Sequence, residues 1–374
     1  MQSAGEPIEN LTATLWSAHP ELAVIRDAAT EPVYVVGGAV RDLLLGLGRA
    51  DLDLVVEGDA AALAAELGAE PVRHERFATA KVEFDGHAVD IASARSESYP
   101  HPGSLPVVNP AAAIAADLGR RDFTVNAMAI PLTGAPRLID PHGGRDDLAA
   151  GMLRVLHRES FVDDPTRAIR AARYAARLGF ELEPETEGLL RAADLDSVSA
   201  DRRRAELLRL AGEATAPLGF ALLRDWGLLA TREQEEDLVA RVADLAATPL
   251  WAERLAPDRA RAVLAAALGP AGDERELAAA RPRRPSQAVE LARSRDPIEL
   301  VLARALGADW LDDYLRKWSS VALEIDGADL IAAGVPPGPS LGRGLAAALR
   351  AKLDGEIEGR EQELAVALAA AGAE

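Results

Sequence analysis

Two aspartates separated by one residue, Asp51 and Asp53, stand in the run ADLDLVV at positions 50–56. In a strand, alternate side chains share a face, so both carboxylates point one way while Leu52 and Leu54 point toward a core. Two neighbouring carboxylates repel, and a divalent cation resolves the repulsion. An oxygen-only donor set favours Mg²⁺, which also binds substrate phosphates. Ten residues before Asp51, Arg41 closes the run VVGGAVR (35–41), a β-branched stretch that breaks at Gly37 and Gly38 and enters a helix. Glycines there let backbone N–H groups approach a phosphate, and Arg41 in the first turn can donate a fork to its oxygens. Separately, these runs could be an edge strand and a tight turn. Together they supply the two parts that phosphoryl or nucleotidyl transfer requires.

Further candidates follow along the chain. Asp90, in the apolar run 88–92, is either a third carboxylate or a strand-end cap. RRDFTVN (120–126) offers Arg121 to a triphosphate and Asp122 to a ribose hydroxyl. In DDPTRAIRAARYAAR (163–177), Pro165 suits a first helical turn after an aspartate cap. At helical spacing Asp164, Arg167, Arg170, Arg173 and Arg177 fall within about half of the circumference, with Ile169, Ala172 and Ala176 left for packing. The alternative is a salt-bridged solvent face. Against it, the four arginines lack interleaved acids and would repel unless an anion sat among them.

These residues need elements to position them. Short β-branched runs at 32–36, 52–56, 80–84 and 88–91, separated by helical stretches such as 60–67, predict a small sheet with helices. From about Leu148 the texture becomes rich in Ala, Leu, Arg and Glu, predicting helices at 167–178, 200–214, 258–268 and 356–371 and no strand after about Val155. The 374 residues are 49% hydrophobic and contain no cysteine, which excludes disulfide scaffolds and thiolate sites. A net charge of −19 excludes general electrostatic attraction to nucleic acid or anionic membranes, so any phosphate-binding surface must be local. All 41 basic residues are arginine except Lys81, Lys317 and Lys352. With no leader-like N-terminus and no long apolar run, a cytoplasmic, membrane-free protein is expected. No phosphate-loop lysine motif, zinc helix or His-Asp pair is present.

The set resembles the class II tRNA nucleotidyltransferase and bacterial poly(A) polymerase family, from Val33 to about Leu207. The matching motifs are GGAVRD (37–42) with DLD (51–53), RRDFTVNAMA (120–129), IDPHGG (139–144) through Leu148, and DDPTR (163–167). A weaker one is DRRRAEL (201–207). Where the family has Glu-Asp, this chain has Asp163-Asp164, which leaves Asp164 and Arg167 intact. The resemblance implies an α+β fold: a nucleotidyltransferase head with a small mixed sheet (1–145), then an all-helical neck (146–215), body (216–300) and RNA-binding tail (301–374). It implies that Asp51 and Asp53 bind the catalytic Mg²⁺ ions. Gly37, Gly38, Arg41, Arg121 and Asp122 would hold the nucleotide, and Asp164 and Arg167, running into Arg170 and Arg173, would read its base.

The implied reaction adds C and A (CCA) to the tRNA 3′ acceptor end from CTP and ATP, releasing pyrophosphate. An acceptor-only Asp164 beside a donor-only Arg167 suits the Watson–Crick edges of cytosine and adenine and mismatches uracil and guanine. Specialised A-adding or CC-adding enzymes are the alternatives. The stretch 95–119 takes the position of the family's flexible loop and does not decide among them. Poly(A) polymerase is less favoured because residues 355–374 are acidic. A catalytically silent RNA-binding relative would have lost Asp51 or Asp53. The loop Arg281–Pro285 and the pair Arg316-Lys317 are candidate RNA phosphate contacts.

Overall fold

The computed structural model describes residues 8–47, 52–68, 79–84, 87–110, 112–230, 236–270 and 272–372. The chain divides into two compact units, residues 1–230 and 231–374.

The first unit is built on a five-stranded mixed sheet. Its strands are β1 (Val33–Val36), β2 (Leu52–Val56), β3 (Thr79–Phe84), β4 (His87–Ser93) and β7 (Ala129–Pro131), in the order β3-β4-β2-β1-β7. β2 and β4 run parallel and the other neighbours antiparallel. β1 is a continuous apolar run because it is central: all four residues are buried, covered on both faces. One face packs Tyr34, Val36 and Val55 against Ile114 and Leu118 of the helix Ile114–Gly119. Asp53 shares that face with Val55 but is exposed, so it stands where the helical cover ends. Leu52 and Leu54 are buried, as alternation requires.

The stretch 95–119, expected as a loop, forms a hairpin of β5 (Arg95–Ser98) and β6 (Val107–Pro110) followed by the helix Ile114–Gly119. RSES and VVNP show no apolar alternation that would mark them as strands. The hairpin tip is fixed by its neighbours: Gly103 donates its N–H to Val162 at 3.0 Å. Gly103 has φ 66°, and a Cβ there would lie 2.6 Å from the Ser197 carbonyl oxygen, so only glycine fits.

The expectation of no strand after Val155 is corrected by β9 (Glu181–Leu182), which pairs in parallel with β8 (Met152–Leu153). Two residues carry no periodicity, and the pairing follows from the chain reversal at Gly179, whose φ is 70°. The helix Thr166–Leu178 is clad by the helices Ala200–Gly212 and Ala216–Asp225, and its alanines 168, 171, 172, 175 and 176 permit that close approach. Every secondary-structure element among the second unit's described residues is a helix. One of its cores gathers Ile325, Leu330, Ala348 and Ala367.

Candidate active site

β1 ends at Val36, and the chain turns through Gly37 into the helix Gly38–Leu44. Gly37 has φ 65°, and a Cβ there would lie 2.6 Å from Arg121 Nη1. The bare backbone is therefore what allows the guanidinium to lie across the turn. Arg121 donates from Nη2 to Asp117 Oδ2 at 3.0 Å, and from Nη1 over a longer 3.5 Å to the Asn126 carbonyl. Its Nε is buried without a hydrogen-bond partner.

A cavity of 390 Å³ opens beside this turn, and its walls include Gly37, Gly38, Asp53, Arg121, Asp122, Asp164, Arg167 and Arg170. It is also lined by Arg95, Glu97, Tyr99, Arg120, Asn126 and Arg202. A second depression of 540 Å³ shares Asp53, Arg120 and Arg121 with the first and adds Lys81 and Asp90. Asp90 pairs in register with Asp53 across the parallel strands and with Lys81 on its other side, where Lys81 Nζ is 3.9 Å from Asp90 Oδ1. Asp51 lies outside the described residues.

Arg41 is not brought to the cavity wall. It is 3% exposed and spends its donors internally, Nε and Nη2 on Asp42 Oδ1 at 2.8 and 2.7 Å and Nη1 on Asn126 Oδ1 at 2.7 Å. Its guanidinium lies 5.3 Å from the centre of the Tyr174 ring. Arg41 thus ties the glycine turn to the RRDFTVN segment and to the helix Thr166–Leu178. Arg173 is also directed elsewhere, over the Tyr174 ring at 4.6 Å and toward Glu213 Oε1 at 3.5 Å.

The arginine stripe does carry anions, but they belong to the protein. Arg170 Nη2 meets Asp122 Oδ2 at 2.7 Å, and Arg177 reaches Asp42 Oδ2 at 3.4 Å. Asp122 Oδ1 accepts from the Phe123 N–H at 2.8 Å and from Asn126 Nδ2 at 3.0 Å. Burial alone would raise the Asp122 carboxyl, but Arg170, the Asn126 amide, Arg167 and the Phe123 N–H outweigh it and hold it below the usual carboxylate range.

Asp164 Oδ1 accepts from Thr166 N at 3.1 Å and Thr166 Oγ1 at 2.6 Å, and pairs with Arg202 Nη2 at 3.0 Å. Arg167 donates Nη1 to Ser160 Oγ at 2.6 Å and Nη2 to the Arg120 carbonyl at 2.8 Å. These bonds use two of the five N–H donors of a guanidinium. Tyr99 donates to Glu97 Oε2 at 3.1 Å. Burial, with Glu97 and Asp164 and against Arg167, pushes its phenol up to about 12, so it is a neutral donor at physiological pH.

Arg202, Glu97 and Tyr99 were not singled out from sequence. They come from the weak 201–207 motif and from the segment read as a loop, and only the fold joins them to the cavity. Arg202 also donates to the hairpin tip, Nη1 to Gly103 O at 2.8 Å.

Residues 33–154 match the family described as the poly A polymerase head domain. The A-adding tRNA nucleotidyltransferase of Halalkalibacterium halodurans is 44% identical over 206 residues, which are 52% of this chain and 48% of that protein. The chain spans still less of two further A-adding relatives, 26% and 20% of their lengths. The CC-adding tRNA nucleotidyltransferase of Deinococcus radiodurans is 35% identical over 88% of this chain and 87% of its own length. Among solved structures, an apo form of a CCA-adding enzyme superposes with a TM-score of 0.81 at 29% identity, covering 97% of this chain and 99% of that one. Among the described residues no helix is long and apolar enough to cross a membrane. With its glycine turn, Asp53, Asp164 and Arg167 lining one cavity, and with near full-length similarity to the Deinococcus protein, the chain belongs to the tRNA nucleotidyltransferase family.

Proposed function

We propose that the protein adds C and A to the 3′ end of tRNA from CTP and ATP, without a nucleic-acid template and with release of pyrophosphate. One observation carries the proposal: a single cavity wall holds a phosphate-type turn with Arg121, the carboxylate of Asp53, and the acceptor–donor pair Asp164 and Arg167. The tRNA 3′-hydroxyl oxygen forms a bond to the α-phosphorus, the bond from that phosphorus to the α,β-bridging oxygen breaks, the bridging oxygen departs with pyrophosphate, and the hydroxyl proton passes to solvent. Arg121 receives the leaving pyrophosphate. Asp164 accepts from, and Arg167 donates to, the base edge, so cytosine and adenine pair where uracil and guanine leave charged groups unmatched.

Asp122, with Oδ1 hydrogen-bonded to Phe123 N–H and Asn126 and Oδ2 ion-paired with Arg170, holds Arg170 and Asn126 at the cavity, and we assign it that role in place of ribose acceptor. Arg41 braces the turn from behind rather than touching phosphate. The residues present fit a hard divalent cation: Asp53 and its cross-strand neighbour Asp90 offer oxygen alone, and Asp51 precedes Asp53 by two residues. Mg²⁺ bound to such donors supplies charge stabilisation at the α-phosphate and lowers the pKa of the attacking hydroxyl. A tRNA substrate agrees with a cytoplasmic location.

The test offers purified protein tRNA ending before CCA, after C and after CC, with each nucleotide and Mg²⁺. Extension of all three, by C, C and A in turn, is expected. Extension of the CC-ending tRNA alone makes it an A-adding enzyme, arrest at CC a CC-adding one, and extension of none overturns the assignment.

A further inference from the structure

We propose that Asp117, a residue with no part in the chemistry described above, is the positioning residue that sets the nucleotide-binding arginines. It sits on the helix Ile114–Gly119 and is completely buried. A lone carboxylate in that place would be strongly destabilising, so it persists only because it is paired. Its partners follow it by three and four residues, the spacing that brings side chains together around a helical turn. Oδ1 accepts from Arg120 Nε at 2.9 Å and Nη2 at 2.7 Å, and from the Arg95 N–H at 3.4 Å. Oδ2 accepts from Arg121 Nη2 at 3.0 Å.

One buried anion thus clamps two adjacent guanidiniums that would otherwise repel, each on a different oxygen. Without it, Arg121 retains only the 3.5 Å bond to the Asn126 carbonyl. Arg120 passes the constraint on. Its side chain is shared with Glu97 at 3.1 Å, and its carbonyl accepts from Arg167 at 2.8 Å. Asp117 is therefore two contacts from the base-reading arginine and one from the triphosphate-binding one. Burial would raise its carboxyl, but Arg120 and Arg121 outweigh that and keep it ionised.

This proposal rests on the reading of Arg121 as the triphosphate ligand, so the experiment carries both. KM is measured for ATP, CTP and tRNA in the forward reaction and for pyrophosphate in the reverse, for Asp117→Asn, Arg121→Ala and the double variant. Asp117→Asn is expected to raise KM for nucleotide and pyrophosphate by about 10- to 100-fold, the scale on which misplacing a binding group acts, with KM for tRNA unchanged. The double variant should bind pyrophosphate no more weakly than Arg121→Ala alone, because one acts through the other. Asp117→Glu, which keeps the charge one methylene further out, should restore part of the affinity. If Asp117→Asn does not fold, Asp117→Glu carries the measurement, with raised KM for pyrophosphate expected. Unchanged KM values in Arg121→Ala overturn the reading of the ligand. Raised values there with unchanged values in the Asp117 variants, or additive effects in the double variant, overturn the role of Asp117.

Discussion

Several arginines of the first unit and several of the second are the same residue put to different use. In the first unit several reach partners far away in sequence: Arg170 pairs with Asp122, Arg177 with Asp42, and Arg41 reaches Asn126 across 85 positions, while Arg120 and Arg121 share the nearby Asp117. In the second unit, Arg241 with Asp237, Arg261 with Asp258, and Lys317 with Asp313 pair within one helical turn, with cationic side chains 53%, 58% and 61% exposed, whereas Arg284 with Asp354 and Arg360 with Asp329 reach further along the chain. Local pairs in water are worth a few tenths of a kcal/mol and need only a helix. Long-range buried pairs exist only once the fold is complete, and they hold a guanidinium in one orientation. The contrast shows where charge is being used for geometry and where for solubility.

The largest expected effect breaks the buried class. Asp122→Asn should lower stability to denaturant by about 2–4 kcal/mol, on the low side of a broken buried pair because the Arg170 side chain is 34% exposed. The sign with pH follows from the depressed carboxyl. Its stabilisation is fully present above the unfolded value near 4 and is lost as pH falls through the lower folded value. The variant should therefore show a flatter acid limb in a plot of stability against pH. An unchanged limb would mean that the pair contributes nothing.

Next is Asp164→Ala, which should relax the preference for C and A over U by about tenfold or more, in single-nucleotide addition assays. Unaltered selectivity would remove Asp164 from base recognition. Third, the exposed Arg283 of the second unit is a candidate RNA phosphate contact. Arg283→Ala should weaken tRNA binding uniformly and reduce the slope of log affinity against log salt by about one. Smallest is Arg261→Ala, expected to change stability by less than about 0.5 kcal/mol. A larger loss there would erase the distinction between local and long-range pairs.

The same distinction explains what could be read from sequence. β1, β2 and β4 were legible because their β-branched runs match strands buried on one or both faces, and the exposure of Asp53 between buried Leu52 and Leu54 follows from simple alternation. The glycine turn was legible because only glycine tolerates φ 65° under a guanidinium. Arg41 turns inward where the sequence offered it to phosphate, because helical spacing says that it lies in a first turn but not which way it faces. That is decided by Asn126 and Tyr174, which no local pattern reveals. The acids among the stripe arginines were missed for the same reason, since Asp42, Asp122 and Glu213 come from other elements. Asp117 is the opposite case. Its i+3 and i+4 relation to Arg120 and Arg121 was present in the sequence, and only its burial was hidden.

Among the described residues that line the 390 Å³ cavity there is neither lysine nor histidine, and the cations are Arg95, Arg120, Arg121, Arg167, Arg170 and Arg202. Guanidinium groups do not give up their protons in proteins, and Tyr99 stays neutral until about 12. Burial and the neighbouring Arg120 lower the Arg95 guanidinium from its usual value, but across the neutral and mildly alkaline range the wall keeps its charge. An alkaline dependence of nucleotide addition would then originate in the attacking hydroxyl and its surroundings, so the alkaline arm of a rate profile reports on the nucleophile.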